Sequence, residues 1–381
     1  MTGPTRRTFL SSMAAATALA PIARAAGTPA RSVAPRKILV LGGTGFLGPH
    51  FVRGAIAHGH TVTLFNRGKS NAGLFPELER LRGDREKGDL ESLKGREFDA
   101  VVDTSGYVPA HVEATAKLFA ATAKHYQFIS SISVYGQFGE RPDVVDETAA
   151  VGTVEDEKVA LVETIRQSME FYGPLKARCE AAAEAAMPGK VSTLRPGLIV
   201  GPGDSTDRFT WWPVRIDRGG EVMAPGDPDG QVQFIDVRDL ADFMLRCIEN
   251  DIVGVKNVNG FAGPVSMGDL LSACKCATSK PVTLTWVSEA FMTANAVRPW
   301  EQMPLFLPRK NRSIVDVKRA IDAGITFRPV GDTVRDTLQW AKTERGDRPF
   351  GRVGVPAARE KELLEKWRAE AKSGADEPAV R

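Results

Sequence analysis

Residues 37–48, KILVLGGTGFLG, decide the fold of this chain. An apolar run of strand type breaks into glycines, with Gly42, Gly45 and Gly48 spaced G-x-x-G-x-x-G, and an amphipathic segment follows from Pro49. The first glycine allows a tight turn out of a buried strand, the second allows backbone to approach a pyrophosphate, and the third allows close packing of a helix. The spacing favours a dinucleotide site, although glycine-rich turns between strand and helix are common in α/β proteins and the pattern alone is a weak signal.

Strands and helices alternate after the glycine turn. Residues 49–58 carry apolar side chains at helical spacing and residues 61–65 alternate as a second strand. Residues 78–83, 98–103 and 126–130 indicate further strands, and a helix is predicted for residues 110–124. This order predicts an α/β fold: a Rossmann-type doubly wound parallel sheet whose ligand site lies beyond the carboxyl ends of the strands. A helix at 267–277 and a strand at 281–287 predict a smaller C-terminal α/β substrate lobe.

The end of the second strand indicates which nicotinamide nucleotide is bound. A site specific for NAD usually has an acidic residue about 20 positions beyond the glycines, whereas an arginine there accommodates the 2′-phosphate of NADP. This place holds Asn66, Arg67, Gly68 and Lys69 and no carboxylate. The cofactor is therefore NAD(P), with NADP favoured over NAD; the alternative is a solvated basic turn.

The composition suits a soluble globular protein that binds a small molecule. Of 381 residues, 43% are hydrophobic and 25% charged, and 50 basic residues against 47 acidic ones give a net charge of +3. With no strongly basic composition, nucleic acid is not expected as a partner. Cys179, Cys247, Cys274 and Cys276 have neither metal-site nor disulfide-framework spacing, so we interpret them as thiols and expect no metal.

The first 35 residues predict a signal peptide and linker. Residues 6–10, RRTFL, form a twin-arginine pattern, a mildly apolar run covers residues 11–22, and Ala23-Arg24-Ala25 suits cleavage. The run is too short to span a membrane. We expect the twin-arginine export machinery as a partner and a periplasmic or otherwise exported location. The alternative is a basic N-terminus before an alanine-rich linker.

Two motifs carry the expected chemistry. SSISVYG (130–136) follows a predicted strand, and YGPLK (172–176) opens a helix on which Tyr172 and Lys176 share one face. A lysine ammonium beside a phenol lowers the pKa of the phenol, as a general acid/base needs for hydride transfer at a carbinol carbon. The alternative for an isolated Tyr-x-x-x-Lys is a packed tyrosine with a solvated lysine.

The chain resembles the extended short-chain dehydrogenases/reductases of the NAD(P)-dependent epimerase/dehydratase family. The similarity covers roughly residues 37–340 and rests on GGTGFLG (42–48), Asp84, SSISVYG, YGPLK, LRPGLIVGPGD (194–204), QFIDVRDLA (233–241), NVNG (257–260) and DVKRA (316–320). It implies Ser131 as the hydroxyl of a catalytic triad, Tyr172 as acid/base, and Lys176 as the residue that tunes the tyrosine and holds the nicotinamide ribose. It also implies an adenine contact at Asp84 and favours a homodimer.

The motifs and the resemblance together predict two sets of binding residues. Those for the cofactor are Gly42, Thr44, Gly45, Phe46, Leu47, Gly48, Asn66, Arg67, Asp84, Arg85, Thr104, Ser105, Gly106 and Lys176. Those for the substrate are Ser133, Tyr107, Arg208, Trp211, Trp212 and Arg215. The composition of residues 207–215 suits stacking on a sugar or similar ring, with core packing of both tryptophans as the alternative.

The chain departs from family members that act on nucleotide sugars. Those members carry an arginine that binds the diphosphate where this chain has Val232-Gln233, so a nucleotide-diphosphate sugar is not favoured. The pattern also resembles the branch that contains chloroplast stem-loop RNA-binding proteins. The predicted domains are residues 36–193 for the nucleotide, residues 194–345 for the substrate lobe interleaved with the last Rossmann strands, and residues 346–381 as a charged helix and tail.

Export bears on the expected reaction, because the periplasm offers no ready pool of nicotinamide nucleotide. We expect an epimerase/dehydratase-like oxidoreductase that acts on a sugar or polyol-type small molecule and recycles its cofactor internally. One alternative is a simple NADP-dependent reductase or dehydrogenase. Another is a non-catalytic RNA- or partner-binding protein on the same scaffold.

Overall fold

Strands and helices alternate along the chain, as the sequence predicts. The computed structural model describes residues 34–136, 144–164, 167 and 169–372. Its strands are β1 (Lys37–Leu41), β2 (Thr61–Asn66), β3 (Glu79–Arg82), β4 (Ala100–Asp103), β5 (His125–Ile129), β6 (Val144–Val145), β7 (Val191–Pro196), β8 (Ile199–Val200), β9 (Gly220–Pro225), β10 (Gln231–Val232), β11 (Ile235–Asp236), β12 (Gly254–Val258), β13 (Val265–Ser266), β14 (Val282–Val287) and β15 (Ile314–Val315). Its helices are α1 (Leu47–Ala57), α2 (Pro109–Phe119), α3 (Asp156–Ala160), α4 (Tyr172–Ala186), α5 (Trp211–Asp217), α6 (Val237–Glu249), α7 (Met267–Cys276), α8 (Glu289–Ala294), α9 (Lys318–Asp322), α10 (Val330–Trp340) and α11 (Ala357–Lys372).

A seven-stranded sheet forms the centre of the described chain. Its strand order is β12-β7-β5-β4-β1-β2-β3, and every neighbouring pair is parallel. The chain builds outward from β1 to β3 and then returns to place β4 on the other side of β1. That reversal opens a crevice beyond the carboxyl ends of β1 and β4, which is where open α/β sheets bind their ligands. The predicted Rossmann-type doubly wound sheet is confirmed.

Helices cover both faces of the sheet. On one face α1 packs against α6, where Phe51 and Met244 are buried in the same core. On the other face α2 packs against α4, where Phe119 and Cys179 are buried. Helix α2 ends at Phe119, not at residue 124 as predicted, because the chain must turn before it enters β5 at His125.

A further core lies in the C-terminal half of the sequence. It includes residues of α5, α7 and the parallel pair β9 and β14. Helix α11 was predicted as a charged surface helix, but one of its faces is buried: Leu363 is fully buried, and the Trp367 ring lies 4.9 Å from that of Phe291. The buried face could not be predicted from the charged composition, because Lys and Glu occupy the remaining positions of α11. The boundary at residues 193 and 194 stays a prediction.

Other sequence predictions have mixed outcomes. The predicted signal peptide, most of the linker and the tail beyond residue 372 lie outside the described residues. The four cysteines are free thiols, three of them buried and Cys276 exposed, as predicted. Among the helices that the structure describes, none has the length and apolar character needed to cross a membrane.

Candidate active site

The glycine turn after β1 has the shape that a pyrophosphate requires. Gly42 has a φ of +107°, which a side chain rarely adopts, so the chain can turn sharply out of the sheet. A Cβ on Gly48 would lie 2.5 Å from the Gly43 backbone, so only glycine lets α1 begin against the turn. A Cβ on Gly45 would meet no atom within 4 Å. Open space therefore faces Gly45 near the N-terminus of α1, where backbone N–H groups favour an anion.

This geometry makes the effect of substitution differ between two glycines. Gly45→Ala is expected to change the free energy of unfolding by less than about 0.5 kcal/mol, since its Cβ meets no protein atom. The same Cβ would occupy the space needed by a phosphate, and overpacking of about 1–3 kcal/mol would weaken nucleotide binding about tenfold or more. Isothermal titration with NADP and urea unfolding would measure both quantities. Gly331→Ala, which also meets open space but lies on α10, is the control; equal nucleotide affinity in the two variants would contradict the assignment.

Other residues predicted to bind the cofactor lie at the same turn. Thr44 lines the cavity next to the glycines, and its carbonyl accepts a hydrogen bond of 2.8 Å from Asn71. Phe46 precedes the first residue of α1, Leu47, and its ring contacts His50 edge-on with 6.3 Å between centroids. The first turn of α1 carries no acidic side chain, which leaves its positive dipole end available to phosphate.

A cavity of about 210 Å³ continues from the glycine turn to the ends of β2 and β3. Its lining comprises Leu41, Gly42, Thr44, Gly45, Phe65, Asn66, Arg67, Gly68, Lys69, Ser70, Gly83, Asp84, Arg85, Glu86, Ser105 and His111. The cavity thus joins the predicted pyrophosphate turn to Arg67 and to Asp84. This set fits the adenosine part of a dinucleotide, with cations near the place of a 2′-phosphate.

Arg82 lies beside this end of the cavity, against its lining residues Asn66 and Gly68. Arg82 is the last residue of β3 and lies opposite Asn66 in the β2–β3 register. Its Nη1 donates a 2.7 Å hydrogen bond to Asn66 Oδ1, which also accepts from the Gly68 backbone. Arg67 pairs with Glu86 at 3.3 Å across the same opening. Sequence reasoning missed Arg82 because only the pairing of β3 with β2 brings it beside Asn66.

Arg85 holds the end of β4. Its guanidinium donates to both carboxylate oxygens of the fully buried Asp103, at 2.7 and 3.0 Å, and to Ser105 Oγ at 2.8 Å. Burial alone would raise the pKa of Asp103, but the Arg85 pair outweighs it and holds that pKa below its usual range. Asp84 caps the short turn that carries Arg85, with its Oδ1 accepting from the Glu86 backbone at 3.2 Å. Arg85 therefore shapes the cavity wall, with its donors already used by protein groups.

The segment after β4 links the end of β4 to the end of β1, at the crevice where the strand order reverses. The hydroxyls of Thr104 and Ser105 both donate to the Leu41 carbonyl, at 3.0 and 3.1 Å. A Cβ on Gly106 would lie 2.6 Å from the Phe128 ring, so glycine is required there. These contacts bring the ends of β1 and β4 together beside the glycine turn.

The predicted catalytic side chains meet at the carboxyl end of β5. Ser131 follows β5, and its Oγ accepts from the Ser133 backbone and contacts Ser133 Oγ, each at 3.1 Å. Tyr172 begins α4 beside this turn, and Ser131 opposes the rise in the pKa of the phenol that burial causes. A Cβ on Gly173 would lie 2.0 Å from the Ser133 carbonyl oxygen, so this glycine allows α4 to approach the serine turn closely.

Lys176 lies one helical turn beyond Tyr172 and is buried. Its Nζ donates to the carbonyls of Gly106 and Ile129, both at 2.7 Å. The Tyr107 and Phe128 ring centroids lie 4.4 and 4.9 Å from the same nitrogen, which favours the charged form. Burial nevertheless lowers the pKa of Lys176 to about 8.

In this structure the groups that lower the pKa of Tyr172 do not include Lys176, so the predicted tuning of the phenol by this lysine stays a prediction. Burial raises the pKa of Tyr172, and the groups that oppose this rise are Ser131, through its hydrogen bond, and Arg208, through its charge. The ammonium of Lys176 is instead satisfied by backbone carbonyls behind the helix. The phenol is therefore protonated near neutral pH, the state that can donate a proton to a carbonyl oxygen.

One aromatic side chain, Tyr107, lies beside Tyr172, and one cation, Arg208, acts on Tyr172 through its charge. The Tyr107 ring lies 6.2 Å from the Tyr172 ring, and its predicted role in substrate binding stays a prediction. The Arg208 guanidinium lies 5.5 Å from the centroid of Trp300, and its charge is felt at Tyr172. Trp300 belongs to the loop 298–308. The composition of this loop was the only feature of the sequence that drew attention to Trp300. The contact between Trp300 and Arg208 depends on the fold.

Trp211, Trp212 and Arg215 do not face the centre, and this corrects their predicted substrate role. Both indoles are buried in the C-terminal core, Trp212 fully and with its Nε1 donating to the Pro304 carbonyl at 2.8 Å. Arg215 is buried and pairs with Glu360 of α11 at 2.7 Å. Core packing, the alternative interpretation of the two tryptophans, is therefore the correct one. Arg208 precedes α5, and a helical turn separates it from the helix face on which these residues lie.

A buried polar network holds the end of β5 in place against α4 and β7. Glu180 on α4 accepts both a 2.5 Å hydrogen bond from Ser130 and a bidentate pair from Arg195 on β7, at 2.9 and 2.6 Å. Arg195 also donates to the Tyr135 hydroxyl, which donates to Asn257 on β12. Such a satisfied network fixes the relative positions of the strands and of α4.

Comparison with solved structures places the fold among known epimerases. The UDP-glucuronic acid 4-epimerase from Bacillus cereus, solved in complex with NAD, superposes with a TM-score of 0.56 at 17% identity. The superposition covers 80% of this chain and 98% of that one. At this identity the likeness concerns the fold.

The relatives found by sequence comparison match this chain at low identity and over part of its length. A family model identifies the family to which the chain belongs. The chain is similar to the chloroplast stem-loop binding protein of 41 kDa b from Arabidopsis thaliana, with 26% identity over 268 residues. It is also similar to the 2-alkyl-3-oxoalkanoate reductase of Stenotrophomonas maltophilia, with 29% identity over 228 residues. These matches cover 65% and 55% of this chain and span 64% of the length of each relative.

The family model described as the NAD dependent epimerase/dehydratase family matches residues 38–259. That segment contains the glycine turn, the adenosine cavity, Ser131, Tyr172 and Lys176, and it makes up more than half of the chain. The chain therefore belongs to the NAD dependent epimerase/dehydratase family, the NAD(P)-binding enzymes of the extended short-chain dehydrogenase/reductase type.

Proposed function

We propose that this protein is an epimerase/dehydratase-like oxidoreductase that acts on a sugar or polyol-type small molecule and recycles its cofactor internally. One observation carries the proposal. Tyr172 begins α4 against the turn that carries Ser131, at the same edge of the sheet as the open glycine turn. A proton donor and a nucleotide site thus share one crevice, as hydride transfer at a carbinol carbon requires.

Each side chain has a definable part in this chemistry. The nucleotide, bound along Gly42, Gly45 and Gly48, supplies a nicotinamide that accepts or donates hydride. Tyr172 donates a proton to the substrate oxygen in the reducing direction and takes it back in the oxidising one. Ser131 stabilises the deprotonated phenol by its hydrogen bond, and the positive charge of Arg208 acts in the same sense.

Internal recycling follows from the proposed export of the protein. Oxidation would remove a hydride from the carbinol carbon and a proton from its hydroxyl, and the final reduction would return both. No external oxidant or reductant is then consumed, which suits a compartment without a pool of nicotinamide nucleotide. Between these steps the intermediate ketone would allow epimerisation or elimination at or beside the carbonyl.

Mass spectrometry of the nucleotide released on denaturation tests the proposal. The full-length chain would be purified from its exported fraction. We expect one equivalent of NADP(H). Release of NAD(H) would be compatible with the mechanism but would overturn the proposed preference for NADP. An exported protein that carries no nucleotide would contradict internal recycling. Stoichiometric consumption of added NADPH during turnover would also contradict it.

The preference for NADP is proposed from the cations at the ends of β2 and β3. Arg67→Ala and Arg82→Ala are each expected to weaken NADP binding about tenfold, because a charge-assisted hydrogen bond contributes about 1.5–3 kcal/mol. NAD binding should change little, since NAD lacks the 2′-phosphate. Calorimetric titration of both nucleotides measures the ratio. Arg96→Ala is the control, because Arg96 pairs with Glu79, whereas Arg67 lines the cavity and Arg82 bonds to its lining residue Asn66; equal weakening of NAD and NADP would contradict the proposal.

Two other functions have support from the comparisons. The similarity to a 2-alkyl-3-oxoalkanoate reductase favours a simple reductase, which would reduce a carbonyl with net consumption of NADPH. The similarity to a chloroplast stem-loop binding protein favours RNA binding. Retention of a structured RNA with a steep dependence on salt concentration would support that last function.

A further inference from the structure

We infer that Arg195 fixes the position of Ser131 beside Tyr172, because this one guanidinium holds both ends of the serine turn, residues 130–135. Arg195 is then a positioning residue, which acts on the reacting centre through Ser131. The inference rests on the proposed function, in which Ser131 acts on the phenol of Tyr172, and it names the group behind the turn that keeps this serine in place.

The near end of the serine turn is Ser130, the first residue after β5. Its Oγ donates a 2.5 Å hydrogen bond to Glu180 Oε1 on α4, and its backbone N–H donates to the Leu194 carbonyl on β7 at 2.7 Å. The two carboxylate oxygens of Glu180 accept from Arg195, from Nε at 2.9 Å and from Nη2 at 2.6 Å. A bidentate pair fixes direction as well as distance. Arg195 therefore holds Ser130 through one intervening carboxylate.

The far end of the serine turn is Tyr135, whose side chain is buried. Its hydroxyl accepts from Arg195 Nη1 at 3.1 Å and donates to Asn257 Oδ1 on β12. The guanidinium also lies 5.0 Å from the centroid of the Tyr135 ring, within the range in which a cation and an aromatic face attract each other. The nitrogens of Arg195 are thus divided between the two ends of the turn: Nε and Nη2 serve the near end, and Nη1 serves the far end.

Ser131 lies between these two held ends. Its Oγ accepts from the Ser133 backbone at 3.1 Å, and its carbonyl accepts from the Val134 backbone at 3.2 Å. These bonds shape the turn from within. The start of α4 rests on the same turn, because a Cβ on Gly173 would lie 2.0 Å from the Ser133 carbonyl oxygen. A displacement of the turn would therefore move Ser131 relative to Tyr172, which precedes Gly173.

Arg195 also refers the tyrosine to the same strand. Glu180 and Tyr172 both belong to α4, so the pair between Arg195 and Glu180 holds the helix that carries the phenol. The serine turn and α4 are thus both fixed to β7 by one side chain. Reacting groups that must meet within hydrogen-bond reach gain most from such a shared support, since a misplacement of about 1 Å can cost about a hundredfold in rate.

The network is buried and complete. The Arg195 and Glu180 side chains are 6% and 10% exposed. In the part of the chain that the structure describes, no buried side-chain polar atom of Ser130, Tyr135 or these two residues lacks a hydrogen-bond partner. Removal of Arg195 itself would leave Glu180 as an unpaired buried charge and disturb folding. The two tethers are therefore better cut one at a time, at the ends of the turn.

Amide hydrogen exchange of the full chain tests whether the tethers fix the turn, and it needs no substrate. Tyr135→Phe cuts the far tether and Ser130→Ala cuts the near one. The control is Tyr126→Phe, which removes another buried hydroxyl, one that donates to Asp103 at 3.1 Å. Mass spectrometry of peptides that cover the serine turn measures the exchange rates.

Each tether variant should speed exchange in the serine turn about tenfold, as expected for loss of one buried hydrogen bond. Peptides that cover the glycine turn after β1 should exchange at the wild-type rate, since neither hydroxyl contacts them. Tyr126→Phe should leave exchange in the serine turn unchanged. Unchanged exchange in both tether variants, or equal acceleration by Tyr126→Phe, would overturn the inference.

The magnetic resonance signal of the Tyr172 ring tests whether the position of Ser131 matters at the phenol. The chain has four tyrosines, so isotopic labelling of the ring carbon that bears the hydroxyl gives a small set of signals to assign. Ser131→Ala should shift the Tyr172 signal, and Ser130→Ala should shift it in the same direction by less. In the double variant, Ser130→Ala should add nothing to the shift, because it acts through the serine. Full additivity of the two shifts would show a merely structural effect and would overturn the positioning role.

Nicotinamide absorbance separates this inference from the proposed function. If exchange and the Tyr172 signal respond as expected and no hydride moves with any sugar or polyol, the positioning role of Arg195 stands and the proposed reaction fails. If hydride moves and the tether variants change neither exchange nor the Tyr172 signal, the proposed reaction stands and the positioning role fails.

Discussion

Tyr172→Phe is expected to lower the rate of hydride transfer by about a hundredfold to ten-thousandfold, the usual contribution of a general acid. The variant keeps the ring that packs near Tyr107 and removes only the hydroxyl, on whose pKa Ser131 acts. Nucleotide binding should therefore persist. The rate would be followed by nicotinamide absorbance in single-turnover reactions with a sugar or polyol that the protein converts.

Tyr107→Phe is the matched comparison for this variant. Tyr107 is a second phenol whose ring lies 6.2 Å from that of Tyr172, and burial raises its pKa. We place it at the substrate and over Lys176, so Tyr107→Phe should keep most of the rate. A variant Tyr172→Phe that retains more than about a tenth of the rate, with Tyr107→Phe inactive, would move the proton donor to Tyr107.

Glu360→Ala is expected to destabilise the protein by about 3–5 kcal/mol, because it leaves a buried arginine without its counterion. Glu360 Oε2 accepts from Arg215 Nε at 2.7 Å, and Oε1 accepts from the Met223 backbone at 3.0 Å. The carboxylate is almost completely buried and joins α11 to α5 and β9. Urea unfolding would measure the loss of free energy.

Glu362→Ala provides the control on the same helix. Glu362 is exposed and pairs only with its neighbour Arg359, so its loss should change the free energy of unfolding by less than about 0.5 kcal/mol. Similar losses in both variants would show that α11 contributes through helix propensity alone. Replacing Arg215 and Glu360 together by Met should recover part of the loss, since an apolar pair leaves no buried charge.

The fold and the nucleotide turn could be predicted because their signals are local. Gly42, Gly45 and Gly48 act through their own backbone and their immediate contacts, so spacing along the chain identifies them. Helix periodicity predicts that Tyr172 and Lys176 share one helix face, and both residues lie on α4 in the structure. The role of Lys176 could not be predicted in full, because its carbonyl partners Gly106 and Ile129 come from other strands.

By itself the sequence determined that the protein is an α/β nucleotide-binding chain with a serine after one of its strands and a tyrosine and a lysine on one face of a helix. Only the tertiary structure decided which of the neighbouring polar and aromatic residues face that centre. Trp211 and Arg215 entered a core, while strand pairing brought Arg82 beside Asn66 and a loop brought Trp300 beside Arg208. The physical reason is that the contacts and burial of a side chain depend on elements distant in sequence, whereas backbone turns and helix periodicity do not.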